Sequence, residues 1–156
     1  MKFIYMNSLI SSPLRVAVAA VLSMALAQAL HLPEAYWAPI SAIVCSLDAL
    51  EGASITARRR LIGTFFGVVI AAFQVYLTPY NLINYGLAIA VLGLVCSTAK
   101  LHTSAFRFGA IALTVVVTAP NHAEVWMTAA TRFVDVAVGI VVALLVLLVW
   151  PRISET

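Results

Sequence analysis

Charged residues cut the 156-residue chain into apolar runs at 16–33, 35–47, 61–99, 108–123 and 136–151. A helix that crosses a bilayer needs about 20 mostly apolar residues. The run at 61–99 is too long for one such helix, and Thr78-Pro79-Tyr80-Asn81 and Asn84 supply turn-forming residues inside it. It therefore divides, and the pattern predicts six spans, near 14–31, 35–49, 60–77, 84–99, 105–120 and 126–149. The second is the shortest, with Pro39 in its first turns and Tyr36 and Trp37 before it as interfacial anchors. Short, proline-interrupted membrane helices are favoured places for transport sites. An ordinary helix with proline near its start is the plainer reading.

Composition agrees with the pattern. Apolar residues make up 63% of the chain and charged ones 10%, where soluble domains have roughly 45–50% and about 25%. The solvent is lipid, and the length fits one domain with no soluble part. Lys2 followed by Val16 to Ala27 and an Ala27-Gln28-Ala29 site imitates a signal peptide. Arg15, however, follows a long apolar lead-in with Phe3, Ile4, Tyr5 and Met6, so the segment is read as a retained first helix.

Charge placement then orients the spans. With a cytoplasmic N-terminus, Lys2, Arg15, Arg58, Arg59, Arg60, Lys100, Arg107 and Arg152 fall inside and only Arg132 falls outside. Both termini are then cytoplasmic. Single basic residues between apolar runs do not make the solvated basic face of a nucleic-acid binder.

Sliding the sequence by 72 residues lays Arg60-x6-Gly67-x3-Ala71 on Arg132-x6-Gly139-x3-Ala143, with Val69 on Val141. A three-helix unit repeated in tandem has its halves inverted in the membrane, which accounts for Arg132 lying outside. The expectation is an all-α membrane protein of two inverted three-helix repeats, about 12–78 and 84–151. Inverted repeats with a pathway near their interface are a common transporter design.

The stretch from Tyr36 to Gly67, with Trp37, Pro39, Gly52, Arg58 to Arg60, Gly63, Thr64 and Gly67, resembles the fusaric acid resistance family, also called the aromatic acid exporter family. The last helix, from Arg132 through Gly139 to Trp150-Pro151, is similar to that family's closing helix, and the resemblance covers about 12–151. It implies a six-helix unit of the bacterial inner membrane that exports aromatic or other organic carboxylates. The plant aluminium-activated malate channels look like distant relatives, built as dimers. Family exporters generally append a cytosolic domain or a second six-helix block; without either here, a homodimer is the expected source of the second block. An organic-anion channel and a non-transporting accessory subunit are the alternatives.

Gly63-x3-Gly67, extended by Ala71, sets small residues one turn apart, and Gly139 repeats the motif. Such faces let helix backbones approach closely in lipid, or form a thin wall past which substrate slides. Arg58, Arg59 and Arg60 anchor the third helix at the cytoplasmic face or, with Arg15 and Arg107, line the mouth of an anion pathway beside Trp37. Guanidinium forks hold carboxylates bidentately, and a positive mouth concentrates organic anions. Arg60 and Arg132 are the candidate inner and outer anion contacts. Asp135 is the one carboxylate placed within a span rather than at its end. It is either an ion-pair partner for Arg132, three residues earlier, or a proton-coupling site. Asp48 and Glu51 end the second helix as charge partners for the arginines, and His31, His102 and His122 read as loop residues. Cys45 and Cys96 read as small buried hydrophobes. No nucleophile–base pair, phosphate loop or metal box is present, so neither an enzyme nor a cofactor is expected.

Overall fold

The computed structural model describes residues 2–47, 50–79, 81–119 and 125–150, with 2–10 described by their backbone alone. Asp48, Tyr80, His122, Pro151 and Arg152 lie outside the described residues, as does the side chain of Lys2. The described residues form six helices: α1 (Lys2–Ala29), α2 (Trp37–Ser46), α3 (Leu50–Leu77), α4 (Leu82–Thr98), α5 (Thr103–Val117) and α6 (Val125–Val149).

Three segments are long and apolar enough to cross a membrane: Ser11–Ala29, Leu50–Leu77 and Val125–Val149. The others are shorter. At 1.5 Å per residue α4 and α5 reach about 26 and about 22 Å, and α2 only about 15 Å, half of a bilayer core of about 30 Å. The expected span at 35–49 is thus a half-length helix. Its start lies beyond Pro33 and Glu34, where Trp37 donates its amide to the Glu34 carbonyl at 3.0 Å. In contrast, α3 begins ten residues before the expected start at 60. Residues 50–59 contain no proline and only one glycine, so nothing stops a helix there. Glu51 sits in the first turn of α3 rather than at the end of α2, where its charge complements the helix dipole.

The chain divides into two compact units. The first holds Met1–Ile55 and Asp135–Thr156 and is built on the α1–α2 hairpin and the latter part of α6. The Arg15 Nη2 of α1 donates to the Ser46 carbonyl at the end of α2, 3.0 Å away. Trp150, just past α6, donates its indole N–H to Ser11 Oγ at 2.9 Å. At the other end of α2, Gly139 of α6 lies so close to the backbone of Ala38 that a Cβ would overlap its carbonyl oxygen, and it would meet Ser41 Cβ at 2.7 Å. Relative to α1, then, both α2 and α6 run in the opposite direction.

The second unit, Thr56–Val134, holds most of α3, all of α4 and α5, and the start of α6. Its core packs Ala71, Ala72, Leu92, Leu113, Val116 and Val117. Gly63 faces Ala105 and Gly67 faces Gly109, so α3 and α5 run in the same direction where they touch. Tyr85 at the start of α4 hydrogen-bonds Thr114 late in α5 at 2.9 Å. Because the Thr114 hydroxyl already donates to the Ala110 carbonyl, Tyr85 is the donor. A Cβ on Gly93, late in α4, would meet Phe106 early in α5 at 3.6 Å, so these two helices are antiparallel. Edge-to-face pairs of Phe65 with Phe133 and Phe73 with Trp126 set the start of α6 antiparallel to α3.

Outside these contacts large apolar side chains point outward, among them Leu82, Ile83, Tyr76, Leu145 and Val149. Exposed apolar side chains in such number mark contact with lipid or a partner. Together with the three long apolar helices they make this a membrane protein.

Candidate functional site

Helical rotation separates the three adjacent arginines. At about 100° per residue, Arg58 is exposed, Arg59 half-buried, and Arg60 turned inward to 5% exposure. There the Arg60 guanidinium lies 4.8 Å from the centre of the Phe108 ring on α5. A cation over a ring face in a desolvated setting gains about 2 kcal/mol. Phe108 holds this place because the Gly67–Gly109 approach brings α3 and α5 together at the next residue.

Arg132 on α6 is 1% exposed, and Asp135, one turn further along the same helix, is fully buried. At the centre of a membrane helix an Arg or Asp costs roughly 2.5–3.5 kcal/mol each on insertion scales, and such groups mark functional sites by default. Arg107, near the start of α5, is exposed, and Arg15 is half-buried against the end of α2. Trp37, the first residue of α2, is half-buried and stacks at a tilt on Tyr36, with ring centres 5.8 Å apart. Its carbonyl accepts from Ser41 Oγ at 2.9 Å.

The candidate arginines thus differ in setting. Arg60 turns inward on α3, Arg132 is enclosed on α6, Arg15 closes α2, and Arg58 and Arg107 lie on the surface. Glycine contacts place two of them in the same local setting, since Gly67 and Gly139 each follow a buried arginine by two turns and each press on a small residue. That small residue follows an aromatic in both cases, in Phe108-Gly109 and in Trp37-Ala38.

The ends of α1 and α4 repeat one another as well. His31 (φ 53) and Lys100 (φ 52) are the two non-glycine residues with positive φ among those described. After each helix the amide of the left-handed residue bonds back three residues, His31 to Gln28 at 2.9 Å and Lys100 to Ser97 at 3.0 Å. The following leucine bonds back five, Leu32 to Ala27 at 3.1 Å and Leu101 to Cys96 at 2.9 Å. This is a Schellman closure completed by an apolar residue. His102, read as a loop residue, caps α5, its ring nitrogen accepting from the Ser104 amide at 3.2 Å.

Sequence reasoning passed over Phe108, Gly109, Ala38 and Ser46. The repeated aromatic–small pair was the signal available for the first three. Ser46 gave none. Both cysteines are buried and unbridged, and among the described residues no three His, Cys, Asp or Glu side chains gather as a metal site.

A family model described as fusaric acid resistance protein-like matches residues 20–146. No curated protein and no solved structure matches the chain.

Proposed function

This chain belongs to the fusaric acid resistance protein-like family, and from that premise we propose that it exports organic, chiefly aromatic, carboxylate anions across a bacterial inner membrane. Membership supports a membrane protein of transport or resistance. The observation that carries the finer reading is the buried pair of guanidiniums: Arg60 under Phe108 on α3, and Arg132 on α6. Each is a fixed positive charge with a fork suited to a carboxylate, held where an apolar helix alone would have no use for it.

In this reading Arg60 and Arg132 are the inner and outer contacts of one anion pathway. Arg15, Arg58 and Arg107 draw anions to the cytoplasmic mouth, Trp37 offers a ring face to an aromatic substrate, and Asp135 exchanges the proton that couples export to the proton gradient. Two inverted three-helix repeats frame the pathway. Supporting that arrangement are the alternating helix directions within each unit, the matched closures after α1 and α4, and the matched glycine contacts of α3 and α6. The Trp150–Ser11 bond puts the start of the first span beside the end of the last, which fits an even number of crossings with both termini cytoplasmic. A homodimer supplies the full transport unit.

The test is flux of labelled 4-hydroxybenzoate into liposomes holding the purified chain alone. Saturable flux that falls at least tenfold in Arg60→Glu, with normal insertion, supports the reading. Flux unchanged by the charge reversal overturns Arg60 as a contact. No flux under any pH gradient or voltage overturns export by this chain alone and assigns it an accessory role.

A further inference from the structure

The end of α2 has polar valences that its own fold leaves unused. Arg15 spends one N–H of Nη2 on the Ser46 carbonyl, at 3.0 Å. Its Nε–H, on the same edge of the guanidinium, is buried and has no partner among the described residues. Ser46 itself is fully buried, and its hydroxyl is also without a partner there. An unpaired buried donor is costly, so two on adjoining groups are a feature to be explained. Both are donors, and one belongs to a cation.

We propose that the Arg15 Nε–H and the Ser46 hydroxyl together form a carboxylate subsite at the C-terminal end of α2. One carboxylate oxygen accepts from both groups, and the second N–H of Nη2 is left for the other oxygen. Electrostatics allow it. A helix C-terminus carries about half a negative charge, which alone would repel an anion, but the full positive charge of Arg15 placed directly on the last-turn carbonyl reverses the sign. The short length of α2 is what delivers the site: a helix ending at Ser46 puts its carbonyl opposite Arg15, near the start of the apolar part of α1. Ligand class here rests on the carboxylate-export reading; the site itself rests on the two unused donors.

Benzoate labelled with carbon-13 at its carboxyl group, titrated into the full chain in detergent micelles and read by the carbon-13 shift, tests this without requiring transport. Saturable binding is expected in the unsubstituted protein, with neutral benzamide failing to compete. Ser46→Ala should weaken binding about tenfold, the worth of one charge-assisted donor, without lowering the melting temperature of the free protein, because it removes only an unbonded buried oxygen. Arg15→Lys keeps the charge and removes the fork, and should weaken binding by at least as much. Saturable binding that neither substitution weakens, competition by benzamide equal to that of benzoate, or no saturable binding would each overturn the site. Binding that depends on Ser46 in a protein without flux sustains the subsite and removes export. Flux in a protein whose benzoate affinity ignores both substitutions does the reverse.

Discussion

Gly67 of α3 presses on the backbone of Gly109 of α5 so closely that a Cβ on Gly67 would overlap the Gly109 carbonyl oxygen. The obstacle is main chain, which cannot rotate away as a side chain would. One methyl group must therefore push two helices apart. Gly67→Ala should cost about 1–3 kcal/mol, the usual penalty of overpacking, read as a lower melting temperature in detergent; Gly139→Ala should do the same, because Ala38 blocks it in kind. Gly86 is the control. A Cβ there meets nothing within 4 Å, and Gly86→Ala should stabilise α4 by up to about 1 kcal/mol.

Two helix ends carry strain that a glycine would relieve. His31 and Lys100 sit in the left-handed region, where a Cβ costs roughly 1–2 kcal/mol. His31→Gly and Lys100→Gly should each stabilise the fold by about 0.5–1 kcal/mol once the extra freedom of glycine in the unfolded chain is deducted, read as a higher melting temperature. A drop on either substitution would mean that the side chain contributes more than its backbone costs.

Much of this was legible from the positions of charge. All six helices overlap the apolar runs, because lipid tolerates few interruptions, but the charges do not mark the helix ends: α3 runs through Glu51 and Arg58 to Arg60, and α6 through Arg132 and Asp135. Helix lengths were not legible. Nothing in an apolar run says where backbone hydrogen bonding stops, so α2 is shorter and α3 longer than the spans expected at 35–49 and 60–77. The 72-residue register of the proposed duplication was visible only between Arg60 and Arg132. The two Schellman turns are spaced three positions short of that register, and the residues pressed by the glycines on α2 and α5 one position short, so a single offset does not align all three features. The inward turn of Arg60 against the outward turn of Arg58 depends on which face of α3 meets α5. That face is set by Gly63 and Gly67, which the sequence did display, but their partner on α5 it did not.

If the helices alternate across the membrane as their directions within each unit indicate, the turns after α3 and α4 face opposite sides. In a background with Cys45 and Cys96 replaced by Ala, Thr78→Cys should react with an impermeant thiol reagent added outside intact cells. Lys100→Cys should react only after the inner face is opened. Both residues are exposed, so accessibility is not limited by packing. Labelling of both from one side would mean that α4 does not cross.

Asp135 lies one turn after Arg132 on α6, with both side chains enclosed. In the proposed export reading, the Asp135 carboxylate steadies the Arg132 guanidinium while it is charged and releases it when it takes a proton. Coupling of export to the proton gradient through this pair requires that protonation and substrate binding alternate at Arg132. Asp135→Asn mimics the protonated form at every pH and keeps the side chain's shape. In liposomes the variant should still pass labelled 4-hydroxybenzoate down its own gradient while losing at least tenfold of the stimulation produced by an imposed pH gradient. Stimulation equal to that of the unsubstituted chain would place coupling elsewhere and leave Asp135 with the structural task of neutralising a buried arginine, in which case Arg132→Gln combined with Asp135→Asn should restore the stability that either substitution alone removes.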